Sequence, residues 1–292
     1  MIIDRCHVGH LKIDVLSDDV LLYISNLHQQ RSRQRVHYWG YAFEYDYRWP
    51  WHTMVHVCQR WRRLIFAWPN HLEVRVECET KPAVAKALDV WPALPISIRS
   101  MVTYKDGGDI IAALEHRERM AEIRLLGLSG PQLEECVTLM QGPFPVLRCL
   151  SLGCDANLND ALVVTDAFLA GSASHLRLLG LGGVPFPTLP RLLLTARDLV
   201  HLNLWGITSA GYVSPEAMAT YLATLKRLRS LDIIFRSKTS FPDRTSQISP
   251  PPTRSVLPAL LRFTFRGISE YLEDLMAQID TPQLEFYLSH LL

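Results

Sequence analysis

The 292-residue sequence has no run of about eighteen apolar residues, so no membrane span is expected. It has almost no net charge, formally +1, which argues against a protein that lives on nucleic acid or an acidic membrane. The start, Met1 to His7, places an acid early and has no long apolar core, so no secretory signal is expected. None of the cysteines at 6, 58, 78, 136, 149 and 154 forms a C-x-x-C pair. Most lie in apolar-periodic segments, as buried, reduced thiols of a cytoplasmic or nuclear chain would. No G-x-S-x-G or H-E-x-x-H occurs, and no nucleophile–base pairing is evident, so neither an enzyme nor a bound cofactor is expected. His52, His56 and Cys58 share a helical face, with Cys6, His7 and His10 near the start, but they do not add up to a metal site. Gly180, Gly182 and Gly183 lack the Lys-Ser/Thr ending of a phosphate loop.

What the chain does have is a repeat. The pattern L-x-x-L-x-L occurs at Trp91/Leu94/Ile96, Met120/Ile123/Leu125, Leu147/Leu150/Leu152 and Leu176/Leu179/Leu181. It continues at Leu199/Leu202/Leu204, Leu228/Leu231/Ile233 and Leu260/Phe263/Phe265, with a weak copy at Leu284/Tyr287. The steps fit leucine-rich repeats of about 20–29 residues, with one stretched. The last two apolar positions are two apart, so on a strand both face one side. The first bends in from the preceding turn. One repeat cannot bury this face alone, whereas stacked neighbours can, as a curved parallel sheet. The intervening segments read as covering helices: Gly107 to Arg119, the stretch after Ser214-Pro215-Glu216 with its N-cap serine, and Gly267 to Asp280. Leu72 to Val76 alternates and reads as an opening strand.

The expected fold is therefore α/β: a helical module over residues 1–69, then an irregular solenoid of seven or eight repeats over 70–292. Residues 236–254, polar and Pro/Ser-rich, read as a flexible insertion. Non-core strand positions face away from the helices. They include Arg124, Cys149, Ser151, His201, Asn203, Trp205, Ser230, Asp232, Arg262 and Thr264. Of these, Arg124, Ser151, His201, Asn203, Trp205, Asp232 and Arg262 are the candidate partner contacts. Trp205 is either an exposed anchor or packs under a loop. The chain ends at Leu291-Leu292 without a polar cap, which leads us to expect a paired last strand or a shortened chain.

At the front, Val15 to Leu27 reads as a short amphipathic helix capped by Ser17 or Asp18, with Val20, Leu21, Ile24 and Leu27 on one apolar face. A second helix is expected over Trp51 to Phe66, stopped by Pro69. Between them, residues 29–50 form an insertion of arginines and aromatics, read as a variable loop that packs its rings on neighbouring helices. A stack for nucleobases or a grip on a phosphorylated partner is the alternative. So short a helical segment buries little surface alone, and its outer apolar residues suggest a partner.

Leu16-Ser17-Asp18-Asp19-Val20-Leu21-Leu22, Ile24 and, later, Val57-Cys58-Gln59-Arg60-Trp61-Arg62 resemble an F-box. With Trp91 to Ile96, the chain is similar to fungal F-box proteins with leucine-rich repeats. Ser17 stands where the family has proline, and the 29–50 insertion lengthens the gap between the helices. The resemblance implies a substrate receptor of an SCF-type cullin–RING ubiquitin ligase, acting in ubiquitin-dependent protein degradation. A Skp-type adaptor would contact Leu16, Val20, Leu21, Ile24, Val57, Cys58 and Trp61 and link the chain to cullin and RING subunits. The repeats would hold a protein substrate. Two other readings remain: an F-box scaffold without ligase output, or a plain leucine-rich-repeat protein–protein interaction module.

Overall fold

The computed structural model describes residues 16–34, 36–39, 42–45, 57–67, 74–77, 95–101, 108–154, 167–171, 173–183, 189–241 and 254–292. Cys6, His7, His10, Trp51 to His56, Pro69, Leu72, Cys78, Trp91, Leu94 and residues 242–253 of the expected insertion lie outside the described residues. The chain divides into two compact units, Met1–Leu72 and Glu73–Leu292.

In the first unit, helix α1 spans Asp18–Gln34. The Ser17 hydroxyl accepts the Val20 N–H at 3.4 Å, so this serine caps the helix. Asp18 and Asp19 sit in the first turn, where the helix dipole favours acids. The helix runs past its expected end at Leu27. Gln29, Gln30, Arg31, Arg33 and Gln34 are good helix formers, and no glycine or proline intervenes before Gly40. Next come β1 (Val36–Trp39) and β2 (Ala42–Tyr45), an antiparallel pair with Trp39 opposite Ala42. The expected loop over 29–50 is thus helix and hairpin for much of its length, because aromatic and β-branched residues favour strand. Helix α2 spans Gln59–Ala67.

The second unit is α/β, as expected. Its sheet has nine strands among the described residues, all parallel and neighbours in chain order. They are β3 (Val74–Glu77), β4 (Ile96–Met101), β5 (Met120–Leu128), β6 (Cys149–Cys154), β7 (Leu178–Gly182), β8 (His201–Ile207), β9 (Ser230–Phe235), β11 (Arg262–Gly267) and β13 (Phe286–Leu291). Two short strands, β10 (Ser255–Val256) and β12 (Ile279–Asp280), pair with each other. Parallel neighbours need crossovers. Among the described residues, five of these carry helices: α3 (Gly108–Leu114), α4 (Gly130–Leu139), α5 (Leu189–Thr195), α6 (Pro215–Leu222) and α7 (Ser269–Gln278). The serine read as a cap does cap α6, since Ser214 Oγ accepts the Ala217 N–H at 3.3 Å.

The register aligns the motif leucines into columns. Ile98, Ile123, Leu150, Leu179, Leu202, Leu231 and Phe263 are neighbours in one row, and each is fully buried. Leu125, Leu152, Leu181, Leu204, Ile233 and Phe265 form the next. The leading leucines Leu147, Leu176, Leu199, Leu228 and Leu260 are buried in the turns. Their N–H groups bond back three residues, to Phe144, Ala173, Ala196, Leu225 and Leu257, at 3.0 to 3.3 Å. The same turn therefore starts each of these strands. The weak copy is in register too, with Tyr287 opposite Phe263. The first copy is not. Ile98, rather than Leu94, occupies the row opposite Ile123, and the ladder shifts between Ile96 and Ser97. The strand thus sits four residues later than the leucine pattern places it, with a one-residue irregularity at its start.

Residues 236–241, expected to be floppy, are partly anchored. Phe241 joins Phe235, Tyr212 and Tyr271, with ring centroids 4.3 Å from Phe235 and 5.8 Å from Tyr271. Tyr271 also donates to the Val213 carbonyl at 3.0 Å.

Leu202 has strands on both sides and no exposure. Leu202→Ala is expected to lower the unfolding free energy by about 2–5 kcal/mol, read as an earlier urea midpoint at unchanged slope.

Candidate functional site

The period-two alternation that buries the leucines turns every other residue to the opposite face. That face carries two further rows. One runs Ser97, Glu122, Cys149, Leu178, His201, Ser230, Arg262 and Phe286. The other runs Arg99, Arg124, Ser151, Gly180, Asn203, Asp232, Thr264 and Leu288. All seven candidate contacts of the sheet lie on this face. Arg124, Ser151, Asn203 and Asp232 share one row, His201 and Arg262 the other, and Trp205 lies two residues beyond Asn203.

The rows are more buried than an open binding face would be. Ser151 and Asp232 are 1% and 4% exposed. Small side chains let long neighbours fold over them. Trp205 is the clearest case: a Cβ added at Gly182 would come within 1.9 Å of its ring, and one at Gly180 within 3.1 Å. The indole therefore lies on the glycines of β7. It is half-buried there, and only side-chain-free positions beneath it allow so close an approach. Two of the glycines that superficially resembled a phosphate loop, Gly180 and Gly182, form this bed.

At one end of the face, Glu122 accepts from Arg99 at 2.9 Å and from Arg124. Burial pushes the Glu122 pKa up, but the two guanidinium groups outweigh it and hold it below the usual range. Arg124 also reaches Cys149, whose thiol burial pushes up to about 12 against that charge. Cys149 is therefore a buried thiol held in its protonated form. His201 lies at the surface, yet its neighbours thin its hydration. That loss, then the charges of Arg124, Arg262 and Arg229, holds its pKa below the ordinary value. Burial raises Asp232 to about 6, against a hydrogen bond from Thr264.

Sequence reasoning overlooked Arg148, Arg177 and Arg229. Each directly follows a motif leucine, in the local pattern L-R-x-L, and each is exposed. Backbone hydrogen bonds of 2.8 Å run from Arg177 to Arg148, from Val200 to Arg177 and from Arg229 to Val200. The three arginines thus occupy equivalent positions at the leading ends of β6, β7 and β9. The recurring Arg after the leucine was the available signal.

In the first unit, burial separates the residues expected to meet an adaptor. Leu21, Trp61 and Ile65 are buried. Leu16, Val20, Ile24 and Val57 are exposed, and Cys58 is half-buried. The expected single face of α1 splits: Leu21 and Ser25 turn inward, while Val20, Tyr23, Ile24 and Leu27 form an exposed stripe at helical spacing. Arg60 bonds Asp18 at 2.5 and 2.9 Å, tying α2 to the start of α1. Such an exposed pair adds only about 0–1 kcal/mol.

Among the described residues no group of three His, Cys, Asp or Glu could hold a metal ion, and no helix is long and apolar enough to cross a membrane. A cleft of about 210 Å³ lies by Phe144, Leu169 and Leu176, away from the polar rows. No family model, curated protein or solved structure matches the chain.

Asp232 gives a pH test. Its folded pKa of about 6 lies above the unfolded value near 3.8, so the folded state binds the proton more tightly. Ionisation therefore costs stability as pH rises from about 4 to about 6, after which the loss is constant. Asp232→Asn should raise the melting temperature at pH 7.5, by on the order of 1–3 kcal/mol of stability, and leave it nearly unchanged at pH 3.5. Equal effects at both pH values would contradict this account.

Proposed function

We propose that the chain is the substrate-recognition subunit of an SCF-type cullin–RING ubiquitin ligase. The helical pair docks on a Skp-type adaptor, and the polar face of the sheet, read as a leucine-rich-repeat solenoid, holds a protein substrate. The observation that carries this reading is the exposed stripe Val20, Tyr23, Ile24 and Leu27, joined by Leu16 and Val57, in the segment whose sequence resembles an F-box. Exposed apolar residues concentrated on one short helix are costly without a partner. Buried Leu21 and Trp61 pin the helices, so they position the stripe more than they touch a partner. In this reading the chain acts by proximity, holding a substrate beside a charged conjugating enzyme, and chemistry belongs to its partners. The in-order parallel sheet, with one turn type opening successive strands, supports the repeat reading.

Val20→Asp/Ile24→Asp in the full chain should abolish co-purification with a Skp-type adaptor while the circular dichroism and melting curve stay unchanged. Trp61→Ala should weaken it together with the stability of the first unit. Retained adaptor binding in the folded double variant would remove the F-box assignment and leave a plain repeat module. Adaptor binding without ubiquitination of a captured partner would indicate a scaffold.

A further inference from the structure

The leading edge of the sheet has a charge pattern that the ligase reading does not use. Arg148, Arg177 and Arg229 stand at equivalent positions just before β6, β7 and β9, and Arg262 opens β11 one residue further along. All four are exposed and, among the described residues, none makes an ion pair. Other arginines of this unit are paired: Arg227 bonds Asp198 at 2.6 Å, and Arg99 and Arg124 share Glu122. Arg229 and Arg262 both act on His201, which places their charges together.

We propose that this arginine stripe binds an acidic, extended segment of a partner protein lying across the strands. Strands are about 4.8 Å apart, so Arg148 to Arg262 spans about 19 Å, the reach of roughly six extended residues. Guanidinium groups at such spacing can each take a carboxylate or a phosphate in paired hydrogen bonds. His201 in its neutral form adds an acceptor or donor between them without adding charge. A nucleic acid fits less well, because exposed Glu285 at the next strand's leading end bounds the stripe and would repel a longer polyanion. The proposal rests on the reading of this face as the partner-holding surface, and is independent of adaptor docking.

The test uses the full chain and labelled peptides in fluorescence anisotropy at low and moderate salt. One peptide is Asp/Glu-rich, one carries phosphoserines in neutral sequence, one replaces the acids with Asn/Gln, and the fourth probe is a single-stranded oligonucleotide of matched charge. At least one acidic peptide should bind in a salt-dependent way, and the neutral peptide should not. Which of the two acidic peptides binds more tightly assigns the anion as carboxylate or phosphate. Arg229→Glu/Arg262→Glu should weaken binding by roughly tenfold or more, whereas Lys238→Glu, the same kind of charge change at the trailing end of β9, should leave it unchanged. Failure of both acidic peptides, equal loss with Lys238→Glu, or tighter binding of the oligonucleotide would overturn the proposal. Because the adaptor test uses α1 variants, loss of adaptor binding with peptide binding intact removes the ligase reading alone.

Discussion

Everything in the second unit depends on strand register. Strands β5 to β9 and β11 each offer two buried leucine-type positions two residues apart, matched from strand to strand. A slip of one residue would carry a whole row of leucines to the polar face and bury Arg124 or Asn203 in the core. With rows of fully buried apolar side chains on each side, that slip is prohibitive. The recurring turn that seats the leading leucine fixes where each strand begins. The one place where register shifts early, at Ile96/Ser97, lies next to a short strand with fewer aligned leucines.

Because the core rows are fixed, the opposite rows are fixed as well, and their contents decide what that face can do. Much of it is spent on internal balance. Glu122 sits beneath two arginines, and Trp205 covers the glycines of β7. Ser151 and Asn203 have buried oxygens with no hydrogen-bond partner among the described residues. Asp232 keeps a carboxyl where its charge is disfavoured. A face built only for stability would not retain these groups, since each costs free energy relative to an apolar or solvated residue.

Much of this was legible in the sequence, and for a physical reason. Alternation and the leading leucine act locally, so Leu147/Leu150/Leu152 and its successors could be aligned without coordinates. The partition of faces followed, which is why Arg124, Ser151, His201, Asn203, Trp205, Asp232 and Arg262 fall on one side. What could not be read was how side chains lean across strands. Trp205 meets Gly180 and Gly182 only because β7 and β8 are neighbours, and nothing local in either segment says so. Likewise Val20 and Leu21 are adjacent apolar residues of one helix, and only packing against Trp61 and its surroundings decides which turns inward. The helix beyond Leu27 was legible and was missed, because its polar residues were read as an insertion when they are good helix formers.

The two units meet the problem of exposed apolar surface differently. In the sheet, each strand covers the edge of the one before it, and the last described strand is left with one open edge. There β13 exposes Phe286, Tyr287, Leu288 and Leu291. The polar face accordingly changes character along its length, from Glu122 and its arginines, through His201 and Asp232, to Arg262 and then Phe286 and Leu288. Among the described residues of the first unit, two helices and a strand pair bury Leu21, Trp61 and Ile65 and leave Val20, Tyr23, Ile24 and Leu27 exposed. A short helix has too little surface to hide both apolar sides internally. Its exposed stripe is thus a consequence of size as much as of sequence, and a second protein surface is the most economical way to remove it from solvent.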